Sequence, residues 1–223
     1  MDRTRLLPHL LARYACNQSV PLRDRLHVAL RLALCPFGRL SGLVPPSGLI
    51  VDLGCGHGHF CLALAQAAPE RRVVGVDPAM HKLSIAMAVA ESLPNARFVG
   101  GSALSNPVAG PCQAVLLIDV LYLLSRAQQE RVLRDCFDRL APGGTLLIKT
   151  MDARPRWKAA LNRVEEWLAV RVLRITLHEG NVFAFRSLSE WAALGERIGF
   201  ETRIVRLDRG YYHPHGAIVA VRR

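Results

Sequence analysis

A chain of 223 residues is long enough for one large domain, and 51% hydrophobic with 21% charged residues is a globular composition that excludes disorder throughout. The formal net charge of +11 favours anionic partners: nucleic acid, an acidic membrane surface or an anionic small molecule. Nearly all of that charge is arginine, the lysines being Lys82, Lys149 and Lys158, so a compositional bias accounts for it as well as a binding surface does.

Six cysteines (Cys16, Cys35, Cys55, Cys61, Cys112 and Cys136) make no CxxC pair and no metal-ligand spacing. They read as reduced thiols of a cytoplasmic protein without a metal site. The opening Met1-Asp2-Arg3-Thr4-Arg5 leads into an apolar stretch too short and interrupted for a signal peptide. The longest apolar run, Ala114 to Leu124, contains Asp119 and falls short of the ~20 residues that a membrane-spanning helix needs.

In chain order, residues 1–44 form a helical extension. Leu6, Leu7, Leu10, Leu11 and Tyr14, then Leu22, Leu26, Ala29, Leu30 and Ala33, recur at helical spacing with arginines on the other face. Pro21 and Pro36 punctuate two helices, and Pro45-Pro46-Ser47-Gly48 is a break. From residue 45 to 223 strands alternate with helices. Leu49–Leu53 is a strand, Phe60–Ala68 a helix, Arg72–Val76 a strand, Ala79–Leu93 a helix and Ala96–Val99 a strand. Ala114–Ile118 is a buried strand, Ser125–Leu140 a helix and Thr145–Lys149 a strand. A basic, Trp-bearing helical insert, residues 151–187, follows. The helix Leu188–Ile198 and the strands Glu201–Leu207 and Ala217–Val221 close the chain. Alternation predicts an α/β doubly wound sheet, parallel for the most part, with helices on both faces. The last two strands are joined too tightly for a crossover helix, so they predict an antiparallel C-terminal hairpin.

The segment Val51-Asp52-Leu53-Gly54-Cys55-Gly56-His57-Gly58-His59-Phe60 puts glycine at every second position between a strand and a helix. Gly54 and Gly56 let the backbone turn tightly and approach a ligand with no Cβ in the way. Asp77 ends the next strand, where an acid accepts hydrogen bonds from ribose hydroxyls. The glycines do not keep the GxGxxG spacing of dinucleotide enzymes. Asp52 also sets a negative charge beside the loop, which suits a cationic ligand better than a pyrophosphate.

Val51–Phe60 resembles the first motif of the class I S-adenosylmethionine-dependent methyltransferases, and Val73–Pro78 resembles their second. Ala114–Tyr122, with Asp119 at its strand end, resembles the fourth, and Leu140-Ala141-Pro142-Gly143-Gly144-Thr145-Leu146 the turn before their fifth strand. The resemblance implies a Rossmann-like, seven-stranded fold and S-adenosylmethionine as cofactor. It further implies that Gly54, Cys55 and Gly56 line the methionine part beside Asp52, that Asp77 with Pro78 holds the ribose, and that Met80 flanks the adenine. Where the family reads the adenine amino group with an acid, this chain has Ser102 in Gly101-Ser102-Ala103, leaving Ser102 or the Ala103 backbone for that task.

Asp119 is expected among the cofactor-binding residues, and acceptor-facing residues are expected on the same rim: Asp119 again, Tyr122, Thr150 and the loop 208–216. His213 and His215 are candidate bases, with Tyr122 beside them, while His57 and His59 support the glycine loop. The insert, with Trp157 and Trp167, is expected to form a lid over the acceptor. Its basic amphipathic pattern allows contact with an anionic membrane. These features point to an enzyme that methylates a small-molecule or lipid-like, conceivably carrier-bound, acceptor. An RNA methyltransferase and a non-catalytic cofactor-binding protein stand as alternatives. The charge favours the former, but the chain has no appended RNA-binding module.

Overall fold

The computed structural model describes residues 3–151, 184–211 and 214–223. The expected lid helices with Trp157 and Trp167, and the candidate base His213, lie outside the described residues.

Three helices open the chain: α1 (Arg3–Cys16), α2 (Leu22–Leu34) and α3 (Phe37–Ser41). The alternating part follows as β1 (Gly48–Leu53), α4 (His59–Ala67), β2 (Arg71–Asp77), α5 (Met80–Ala90), β3 (Ala96–Gly100) and β4 (Cys112–Ile118). A 3₁₀ turn, Leu121–Leu123, leads to α6 (Arg126–Arg139) and β5 (Leu140–Met151). After the insert come α7 (Leu188–Ile198), β6 (Phe200–Arg206) and β7 (His215–Arg222).

The strands form one seven-stranded sheet in the order β3-β2-β1-β4-β5-β7-β6. All pairs from β3 to β5 are parallel, whereas β7 runs antiparallel to both β5 and β6. The order reverses between β1 and β4, and ligands bind outside the carboxyl ends of strands at such a switch point.

Strand periodicity explains the two cores. Ile50, Ala114, Leu116, Ile118 and Leu147 face one side and pack with α1 and α3–α5. Their immediate neighbours Val51, Val115, Leu117, Leu146 and Ile148 face the other side and pack with α6 and α7, around Trp191. Serine caps start the two helices of this second layer. Ser125 with Gln128, and Ser187 with Glu190, each form a reciprocal capping box.

The N-terminal helices share the first core, through Leu10, Tyr14, Val28, Leu32, Phe37 and Leu40. Here the leucine spacing misleads. In α2 the buried side chains are Asp24, Val28 and Leu32. The stripe Leu22, Leu26, Leu30 and Leu34 is 69, 63, 58 and 45% exposed. Polar partners in the loops after β1 and β4 match this orientation: His57 meets Asp24, and Asp119 meets Arg31, both away from the stripe.

Candidate functional site

The glycine loop turns between β1 and α4 with three residues in the left-handed region: Gly54 (φ 84°), Gly56 (φ 57°) and Gly58 (φ 73°). Glycine adopts this region with little strain, whereas other L-residues rarely do. At Gly54 and Gly58 the neighbours also demand it, because a Cβ would stand 2.8 Å from Val120 and 2.6 Å from the Phe98 ring. At Gly56 a Cβ would meet nothing within 4 Å. The backbone there borders open space, which is the cradle a ligand needs.

Asp77 pins the loop. One of its oxygens accepts from the Gly56 N–H at 2.8 Å and the other from the Ala79 N–H at 2.9 Å. Each carboxylate oxygen has a second lone pair, so the same group can still accept ribose hydroxyls. Gly54 and Cys55 donate to the Val76 carbonyl, which ties β2 to the loop. Pro78 and Met80 are exposed just beyond, at the start of α5, where Met80 offers a flat apolar flank.

Asp52 is buried in β1. Its Oδ2 accepts from the Cys61 thiol at 3.3 Å, and Oδ1 has no partner among the described residues. Burial pushes its carboxyl up to about 7; the Cys61 thiol works against that rise and the Asp77 charge adds to it. A carboxyl held at such cost beside an open cradle suits a cationic group. The residues present therefore fit an amino-acid nucleoside: backbone donors, a carboxyl oxygen with no partner among the described residues, and an acid at the end of β2 with lone pairs to spare.

The other predicted residues sort less evenly. Ser102 is turned toward Ser105, its Oγ 3.0 Å from the Ser105 Oγ, and the Ala103 side chain is buried. Tyr122 is buried and stacks on Phe185, with ring centroids 5.2 Å apart and planes 9° from parallel. His215 opens β7 and hydrogen-bonds the Leu34 carbonyl at 2.9 Å. A carbonyl only accepts, so Nε2 carries the proton and His215 ties β7 to α2. Among the described residues no group of His, Cys, Asp or Glu could hold a metal ion.

Asp119 is the unexpected case. At φ 54° it turns its carboxylate onto Lys149, which donates to both oxygens at 2.7 and 2.6 Å. It also meets Arg31 from α2, whose Nη1 and Nη2 each lie 3.1 Å from Oδ2. Burial alone would raise this carboxyl; Lys149 and Arg31 more than reverse that and leave it at about 2.

Sequence reasoning missed Arg31 and Lys149, and also the clamp on the loop. Tyr14 of α1 donates to the His57 carbonyl at 2.5 Å, and the His57 ring lies 3.0 Å from Asp24. Burial holds His57 below its ordinary pKa, and its ring N–H donates to the Asp24 carboxylate, which can only accept. The one signal for Lys149 was a charge at the end of an apolar strand. Arg31 carried none, because its partner is 88 residues away.

Residues 50–144 match the model of a methyltransferase domain family. The chain is 33% identical over 132 residues to a trans-aconitate 2-methyltransferase of Deinococcus radiodurans, covering 56% of this chain and 47% of that protein. It is 34% identical over 145 residues to a demethylmenaquinone methyltransferase of Thermus thermophilus, covering 63% and 64%. The solved structure of the pyocyanin biosynthetic protein PhzM superposes with a TM-score of 0.71 at 25% identity, over 94% of this chain and 61% of that one. The chain thus spans less than two thirds of the length of each of these proteins. Its sheet order, its glycine loop and the acid that ends β2 agree with these likenesses: the chain is similar to methyltransferases in sequence over residues 50–144 and in fold over most of its length.

Proposed function

We propose that the protein catalyses transfer of a methyl group from S-adenosylmethionine to a small, lipid-like acceptor. The observation that carries this is the open cradle at Gly56, flanked by the buried Asp52 carboxyl and by Asp77. Bound there, the cofactor supplies an electrophilic sulfonium methyl, whose bond to sulfur breaks as the acceptor bonds to carbon. The chain's part is positioning and desolvation. Asp52 takes the ammonium of the methionine part, Asp77 the ribose hydroxyls, and the Gly54–Gly56 backbone closes on the chain between them. Met80 lies along the adenine, and Ser102 and the Ala103 backbone edge it.

Calorimetry with S-adenosylhomocysteine tests the cofactor half. The wild type should bind, and Asp77→Ala should lose about 10- to 100-fold in affinity, because hydrogen bonds to a charged group are worth ~1.5–3 kcal/mol. Unchanged affinity would remove Asp77 from the site. Absence of any heat in the wild type would sink the proposal.

A lipid-like acceptor is supported by α2. Its exposed leucine stripe is flanked by Arg23, whose side chain is 80% exposed, on a chain of net charge +11. An apolar stripe with basic flanks is complementary to an anionic bilayer surface, where such an acceptor would be met. The relative from Thermus thermophilus is named for a menaquinone precursor, in keeping with an acceptor of this class. The protein should co-sediment with vesicles containing phosphatidylglycerol, less so with neutral ones. Leu26→Asp with Leu30→Asp should abolish this without lowering thermal stability. A stripe that instead buries itself in a dimer, read by sedimentation velocity, would refute the membrane contact.

A further inference from the structure

At the carboxyl ends of β4 and β5 two cations converge on one carboxylate. Lys149 takes both oxygens of Asp119, and Arg31 takes Oδ2 with both of its terminal nitrogens. The Lys149 side chain is fully buried, that of Asp119 is 6% exposed, and only Arg31, at 31%, opens to the rim. Among the described residues the cluster carries one more positive charge than negative, and its other described neighbours do not cancel it. Cys35 is a thiol whose ionisation is disfavoured by burial, Tyr122 is a phenol, and His215 is held by the Leu34 carbonyl. Among the described residues Asp52 is the other carboxyl that feels Arg31, and it is the group assigned to the cofactor's ammonium.

A buried charge without a partner is costly, and the usual remedy is a counter-ion. The cluster also adjoins the cofactor loop. Val120, next after Asp119, is the side chain on which Gly54 packs, a Cβ at Gly54 lying 2.8 Å from it. Beyond its contacts with Asp119, the Arg31 fork has further N–H donors, Nε and the outer hydrogens of Nη1 and Nη2, that meet no acceptor among the described residues.

Resting on the methyltransferase assignment, we propose that Arg31, with Lys149 behind it, seats an anionic group of the acceptor, a carboxylate or an ionised enol or phenol oxygen. Asp119 is then a positioning residue: it holds both cations in place and leaves the outer edge of the guanidinium for the ligand. Guanidinium geometry matches a planar carboxylate in two parallel hydrogen bonds, which a lone ammonium cannot reproduce.

The test uses the full chain saturated with S-adenosylhomocysteine, with benzoate as anionic probe and benzamide as its neutral isostere, titrated by calorimetry. Benzoate should bind saturably and at least about tenfold more tightly than benzamide, as expected for a charge-assisted contact. Arg31→Gln should erase that preference while changing S-adenosylhomocysteine affinity less than about twofold, and Arg31→Lys should keep part of it. Equal binding of the two probes, or none, overturns the assignment, and this arm needs only the wild type. Parallel loss of S-adenosylhomocysteine affinity in Arg31→Gln also overturns it, because the cluster would then serve the cofactor's own carboxylate. Failure of the wild type to bind S-adenosylhomocysteine sinks the methyltransferase assignment and the acceptor seat together. Cofactor binding without benzoate preference sinks the seat alone.

Discussion

Replacing Asp52 by Asn should stabilise the ligand-free protein by about 2–4 kcal/mol at pH 8 while removing most of its affinity for the cofactor. The carboxyl sits at about 7 in the fold because burial disfavours its charge, against ~3.9 in an unfolded chain. Below pH ~4 both states hold the proton and nothing is lost. As pH rises from ~4 to ~7 the unfolded chain releases its proton and the fold retains it, so stability falls across that window. Three units at ~1.4 kcal/mol each set an upper bound near 4 kcal/mol. Asparagine has nothing to ionise, and its oxygen can still accept from Cys61. Denaturant melts at pH 5 and pH 8 check this: the advantage of the variant should widen with pH. Its affinity for S-adenosylhomocysteine should fall by at least about 30-fold, since the ammonium loses a buried charged partner. A variant less stable than wild type at pH 8 would show that Asp52 serves the fold, not a ligand.

Asp119→Ala should destabilise the protein by ~3–5 kcal/mol, because it leaves Lys149 buried with no counter-charge. Asp119 also sits at φ 54°, a region that costs alanine more than it costs asparagine. Asp119→Asn therefore separates lost charge from backbone strain, and should recover only the smaller part. Adding Lys149→Met to Asp119→Ala should restore about half of the loss or more, by removing the stranded cation. The pH dependence follows from the carboxyl lying at about 2 in the fold. The stabilisation is complete above pH ~4, the unfolded value, and fades as pH falls toward ~2. Thermal melts of the three variants, with a wild-type acid titration, decide the matter. A neutral Asp119→Ala would mean that Lys149 sheds its proton or finds another partner.

Signals carried by neighbouring residues were legible. Glycines at positions 54, 56 and 58 directly after an apolar strand announced the loop, because backbone in the left-handed region is a local demand. Asp77 at the end of the next strand, and the short link before β7, announced the acid that meets the loop and the antiparallel edge for the same reason.

Side-chain period and turn chemistry act within a few residues, so the amino-acid order alone determined the strands, the helices, their doubly wound layering and the glycine loop. The choice of which face of α2 turns inward belongs to tertiary structure. The helical spacing of Leu22, Leu26 and Leu30 marks an apolar face, yet Asp24 and Arg31, meeting His57 and Asp119 across the chain, turn inward and leave that face to solvent. The same long-range pairing made Asp119 the centre of an ion cluster and drew His215 to the Leu34 carbonyl, 181 residues away. Buried charges must find partners wherever the fold brings them, and no local pattern records where that will be.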